Sequence, residues 1–210
     1  YANDQNAFST RNSTNCSSDG SSGKSGNTTM TGTSNTATGC YSLNNNTTGS
    51  GITAVGALAL YNNTTGNNNV GVGYAALYNN ISGDNNNAVG VGALYTNTTG
   101  SGNVALGSQS LYYNTTGSYN NAVGVGALYT NTTGSGNVAS GYQSLYYNTT
   151  GSYNTGVGYQ ALSFNTTGSY NIAFGRQALY SNTTGADNVA IGNRAMYLNT
   201  SGVYNVAIGT

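Results

Sequence analysis

Polar and apolar positions fall in blocks along this chain, and the blocks return with a fixed period. A polar Asn-Thr-Thr-Gly run or a close variant leads into a short apolar stretch, a glycine, and a second short apolar stretch that mostly ends in tyrosine. The pattern then begins again. The opening asparagines are Asn46, Asn63, Asn80, Asn97, Asn114, Asn131, Asn148, Asn165, Asn182 and Asn199, each seventeen residues after the last, with no insertion or deletion. Counted from that asparagine, the unit reads N-T-T-G-S-x-N-x-A-V-G-x-x-A-L-Y-x, positions 1 to 17. So short and strict a period predicts one small unit stacked on itself, each copy burying its faces against its neighbours.

Position 4 is glycine from Gly49 through Gly202, and position 11 is glycine from Gly56 through Gly209. Two fixed glycines predict two corners per unit, where the backbone needs φ > 0 or close approach. Between them lie positions 7 to 10, such as Asn103-Val104-Ala105-Leu106, and positions 14 to 16, such as Ala127-Leu128-Tyr129. Both are too short for a helix and rich in β-branched, aromatic or small residues, so each is predicted as a strand. The predicted fold is all-β: a parallel β-solenoid, or β-roll, with one 17-residue repeat per coil.

The register reaches back to Thr29-Met30-Thr31-Gly32, so the solenoid is placed at residues 29–210. Residues 1–28 are rich in Ser, Thr, Asn and Gly and hold Asp4, Arg11, Asp19 and Lys24. They read as a low-complexity cap, docking segment or linker. A longer repeat also shows: Asn97 to Tyr113 and Asn131 to Tyr147 differ at two positions, so a two-coil block has been copied.

Position 9 is Ala or Gly in every well-formed copy, which predicts a crowded interior site. Position 10 is mainly Val, Leu, Ile or Phe, yet side chains alternate across a strand and positions 9 and 10 must face opposite ways. Strands apolar on both faces predict a partner on the outer one, and another copy of the chain meets that need, in a homotrimer or a helical or linear filament.

Charge adds to this expectation. Charged residues are 4% of the chain, the net charge is zero, and none lies between Asp84 and Arg176. A neutral surface offers nothing for nucleic acid or an anionic membrane, and it lacks the repulsion that keeps neighbouring rods apart. No run of apolar residues is long enough for a membrane span. Catalytic chemistry is sparse: the chain has no His or Glu, and Asp84 and Asp187 stand at unrelated repeat positions. No metal set, nucleotide fingerprint or cofactor motif is found, and the chain is read as a non-enzyme.

Three groups of side chains are candidates for function. Each opening asparagine is followed by x-Thr or x-Ser, as are Asn12, Asn15, Asn27, Asn45 and Asn62, which is the acceptor pattern for N-glycosylation. The other reading is a stacked amide ladder at a turn, which is favoured because Asn and Gly turn chemistry explains the spacing without modification and glycans about 4.8 Å apart would be crowded. Tyr61, Tyr78, Tyr95, Tyr112, Tyr129, Tyr146, Tyr180 and Tyr197 share position 16, with Ser163 as the exception and Phe164 beside it. That column reads as packing or interchain contact, or as a sugar-binding strip. Cys16 and Cys40 form a candidate disulfide in an oxidising compartment, with two free thiols as the alternative.

The segments Asn188-Val189-Ala190-Ile191-Gly192 and Asn205-Val206-Ala207-Ile208-Gly209 resemble the strand motif of trimeric autotransporter adhesin heads. The unit with Gly158-Tyr159-Gln160-Ala161-Leu162 leading into Phe164-Asn165-Thr166-Thr167-Gly168 is similar to shaft repeats of bacteriophage tail-fibre and related surface-fibre proteins. The resemblance covers about residues 29–210. It implies a parallel β-roll, commonly trimeric, acting as an extracellular fibre or adhesin on a cell or virion surface. The expected function is therefore a structural subunit of an extracellular fibre, associating through its apolar and Tyr columns. Surface-glycan binding and ice binding are the alternatives.

Overall fold

The computed structural model describes Gly26 and residues 29–210. The 1–28 segment, Gly26 apart, lies outside the described residues, and so do Cys16 and the sequons at Asn12, Asn15 and Asn27. Gly26 donates its backbone N–H to the carbonyl of Ser42 at 2.8 Å.

Among the described residues, eleven three-residue strands recur every seventeen residues, from β1 (Thr36–Thr38) and β2 (Thr53–Val55) to β11 (Val206–Ile208), at positions 8 to 10 of the unit. They form one parallel sheet in sequence order. The register is a pure one-coil shift, as in Asn121↔Val138 and Ala122↔Ala139. The chain is thus a parallel β-solenoid, with one repeat per coil. Among the described residues, no helix is long and apolar enough to cross a membrane.

The two glycines turn the chain for different reasons. At position 11 the backbone is left-handed, with φ 133° at Gly124, and an added Cβ would lie 2.5 Å from the Gly141 carbonyl oxygen. At position 4 the need is close approach alone: a Cβ on Gly117 would sit 2.5 Å from Oδ1 of Asn114 and also strike the Gly134 carbonyl.

The second strand predicted at positions 14 to 16 is not formed. Positions 12 to 17 are a stacked turn segment, with φ 57° at Gln109 and 50° at Gln143 in position 13. In position 15, Leu128 has φ 53° and Leu179 φ 50°. Alternating hand curls the chain within a few residues, which an extended strand cannot do in so small a circumference. The segment still bonds along the rod: Leu128 N–H donates to Ser144 O at 3.0 Å, and Gln143 N–H to Val125 O at 3.0 Å. Left-handed conformations in non-glycine residues cost about 1–3 kcal/mol each, so bonds to both neighbouring coils must hold them.

The core is three columns wide. Ala122 from the strand and Ala127 and Leu128 from the turn segment are fully buried, and the same positions repeat along the rod. Met30 and Met196 pack against its two ends, where an adaptable thioether suits an irregular cap. Leu128→Met should therefore be mild, since Met196 takes the same position with φ 51°. Leu128→Ile, equal in volume but β-branched, should cost about 1–3 kcal/mol more, because β-branched residues are true outliers at positive φ. Equilibrium urea unfolding of the two variants measures the difference.

Positions 8 and 10 point outward, and the apolar side chains at position 10 are open to solvent in this chain, with Val123 39% and Phe174 43% exposed. The solenoid therefore has a single-layer sheet whose inner face is alanine or glycine and whose outer face carries a bare, mostly apolar strip at position 10 beside a mixed column of Val, Ile, Thr and Asn at position 8.

Candidate functional site

The asparagines at position 1 form a continuous internal ladder. Asn131 Nδ2 donates to Asn114 Oδ1 at 2.8 Å and to its own turn carbonyl at Gly134, 2.9 Å away. Asn148 Nδ2 donates onward to Asn131 Oδ1 at 2.8 Å. The same pattern links the column from Asn46 to Asn199, and Asn46 through Asn182 are fully buried. At the first rung Asn46 Nδ2 meets the Met30 sulfur at 2.9 Å. Both amide hydrogens are engaged inside the turn, so a glycan attached there would replace one of them and break a hydrogen bond at a buried site. In the folded rod the nitrogens from Asn46 to Asn182 are not accessible acceptors.

A second amide ladder was missed by sequence reasoning. Position 7 asparagines bridge each turn to the next: Asn137 N–H donates to Asn120 Oδ1 at 2.9 Å, and Asn137 Nδ2 donates to Gly151 O at 2.9 Å. The signal was there, since position 7 is asparagine in every copy from Asn69 to Asn205. It was absorbed into a predicted strand. Only Ile52 breaks the column, and its N–H still donates to Asn35 Oδ1 at 3.0 Å. Buried side-chain nitrogens and oxygens among the described residues all have partners.

The position 16 tyrosines are stacked. From Tyr61 to Tyr146 neighbouring ring centroids are 4.9–5.4 Å apart and the rings lie within 2–22° of parallel. Ser163 interrupts the column, but Tyr147 and Phe164 carry the contact across: Tyr146 to Tyr147 is 4.7 Å, Tyr147 to Phe164 4.9 Å, and Phe164 to Tyr180 5.0 Å. Tyr197 completes the run at 5.0 Å from Tyr180. From Tyr61 to Tyr146 the facing ring surfaces thus cover one another, which leaves a sugar no open aromatic face between rungs of that run; at the Ser163 gap the rings meet edge to face.

Stacking also shifts the phenols. Burial, and then the neighbouring tyrosines, raise Tyr78, Tyr112, Tyr146 and Tyr180 above the usual value of 10. Tyr129 is pushed up to about 12, by burial first and then by the Tyr113 hydroxyl and the adjacent phenols. A folded-state value above the unfolded one means the stabilisation is whole below pH 10 and is lost as pH rises through the folded-state value. Thermal melts should be flat to about pH 10 and fall steeply toward pH 12, and Tyr129→Phe should blunt that fall.

A third, short amide run lies on the surface. Asn45 Nδ2 donates to Asn62 Oδ1 at 2.7 Å, and Asn62 Nδ2 to Asn79 Oδ1 at 2.9 Å. It flanks a shallow groove of about 520 Å3 that Ile81 and Thr98 also line. The threonine hydroxyls there donate inward, as Thr98 Oγ1 does to Thr115 O at 3.0 Å. Asp84 is a local acceptor, taking the Asn67 N–H at 2.7 Å, and Asp187 stands six coils away. No group of three metal-ligating side chains is found among the described residues. Cys40 is disulfide-bonded.

These features define a one-sheet parallel β-solenoid held by internal amide and aromatic ladders. No protein-family model, curated protein or solved structure matches the chain.

Proposed function

We propose that the chain is a structural subunit of an extracellular fibre or filament, of the kind built by the surface-fibre shafts its repeat resembles. The observation that carries this is the unbroken one-coil shift through eleven strands, joined to a neutral apolar outer strip. Hydrogen bonds along the whole rod axis resist bending, while the absence of charge leaves little to oppose association. The Tyr column contributes stiffness within one rod. Its rings already cover one another, so the bare strip is the better contact surface. Electron microscopy with sedimentation at increasing concentration tests the proposal. Associated rods are expected; single particles at every concentration would overturn it.

Glycan adhesion is a second reading, favoured by the surface amides of Asn45, Asn62 and Asn79 beside the groove. Loss of polysaccharide retention in an Asn62→Ala chain would support it, and no retention by the unaltered chain would remove it. Ice binding is the weaker alternative. Exposed threonines such as Thr116 and Thr133 repeat in one column only, and most coils of the flat sheet carry Val, Leu, Ile or Asn on the outer face instead.

A further inference from the structure

The outer sheet face repeats a side chain at every coil, about 4.8 Å apart along the rod. A surface of that period fits one of the same period at every rung, whereas an irregular protein would touch it at only one or two points. Over eleven coils its two outward columns measure about 53 Å by 7 Å, roughly 370 Å2 in plan, and the position 12 column beyond the glycine corner adds a margin, which puts the contact in the size range of a weak, concentration-dependent interface. Of the charged residues among the described coils, only Arg176 stands in these three columns.

Over the central seven coils the order of residues along the columns also favours one pairing. In position 10, Leu106 and Ser140 lie one coil to either side of Val123, and Val89 and Val157 two coils to either side. If a second copy ran antiparallel and were centred on Val123, Leu106 would face Ser140, large against small. In position 8 the same centre sets Val104 against Val138 and Asn87 against Thr155, apolar on apolar and polar on polar. At the margin it sets Ser108 against Tyr142, again small against large. Parallel pairing about an axis along the rod does worse: Leu106 would meet Leu106, Ser140 would meet Ser140, and Asn121 would face Val125.

We propose that a second copy of this chain docks on the outer sheet face, antiparallel, about a two-fold axis that runs along the strands through Val123. The proposal rests on the self-association argued above and names its surface and orientation. Such an axis makes the contact isologous, each copy giving the other the same patch. The two sheets would lie about 10 Å apart with interdigitating side chains.

The test uses the full chain. In analytical ultracentrifugation, Val123→Lys sets two ammonium groups against each other on the axis and should weaken dimerisation at least about tenfold. Thr116→Lys, exposed on another side, should leave it unchanged. Circular dichroism melts confirm that both variants fold. For orientation, chains carrying Leu106→Cys and chains carrying Ser140→Cys are mixed and treated with a short bismaleimide, because facing sheets about 10 Å apart are too far for a direct disulfide. Antiparallel docking gives a mixed cross-linked dimer, and neither variant alone gives a link. Linkage of the Leu106→Cys chain to itself would show parallel pairing and overturn the orientation. Association untouched by Val123→Lys would overturn the face while leaving the fibre role intact. A wild-type chain that never associates would overturn both.

Discussion

Asn131→Asp should unfold the middle of the array at neutral pH, although it exchanges only an NH2 for an oxygen. The wild-type nitrogen donates to Asn114 Oδ1 and Gly134 O at 2.8 and 2.9 Å from a fully buried position. A carboxylate there would place an anionic oxygen against two acceptors, with no solvent to screen it. Removing one partner from a buried network and leaving a charge costs about 3–5 kcal/mol. The buried acid also takes up a proton more readily than in the unfolded chain, so its folded pKa is raised. The charge penalty is therefore absent below the unfolded value and grows as pH rises above it. The protonated acid, with one O–H donor for two acceptors, still leaves one hydrogen bond unmade, so the variant's melting midpoint should recover near pH 4 but stay below wild type. Asn193→Asp, at an exposed position, should change stability by about 0.5 kcal/mol or less. Denaturant unfolding at pH 4 and pH 7 reads both effects.

Gly124→Ala should be comparably severe for a different reason. Its new methyl would lie 2.5 Å from the carbonyl oxygen and 2.7 Å from the carbonyl carbon of Gly141, on a backbone held at φ 133°. Those atoms belong to the next coil and can retreat only if the strand ladder opens, because Gly141 N–H is bonded to Val123 O at 2.8 Å. Overpacking against backbone with left-handed strain should cost about 3 kcal/mol or more, and stability in a stacked array depends on each interface, so the two halves should melt separately. Gly126→Gln provides the contrast. The same column holds Gln109 at φ 57° and Gln143 at φ 50°, and the added Cβ would meet only side chains, the Tyr146 ring 3.2 Å away and Gln143 Cγ 3.6 Å away. That change should cost about 1 kcal/mol or less. Differential scanning calorimetry separates a split transition from a small shift.

Much of the architecture was legible in the sequence because the period carries it. An undisturbed register places every Asn at position 1 above the last, and amides at strand spacing can bond to one another. The small residue at position 9 likewise announced an interior too narrow for a larger side chain. The second half of the coil was not legible. Ala127-Leu128-Tyr129 has the composition of a strand, while its geometry depends on leucines with positive φ, a state that residue preference argues against. One clue was present: Gly92 and Gly126 share position 13 with glutamines, as a column needing left-handed backbone would allow. The stacking of the tyrosines followed from the register, but the bridge through Tyr147 and Phe164 across Ser163 did not. That contact depends on position 17 side chains turning toward the column, which periodicity does not specify.

The decisive measurement is small-angle X-ray scattering of the chain beside a variant in which residues 97–130, one two-coil block, are duplicated. If each seventeen residues add one layer, the particle lengthens by about 9.6 Å with its cross-section unchanged. A wider cross-section at constant length, or a length increment unrelated to two strand spacings, would contradict the account.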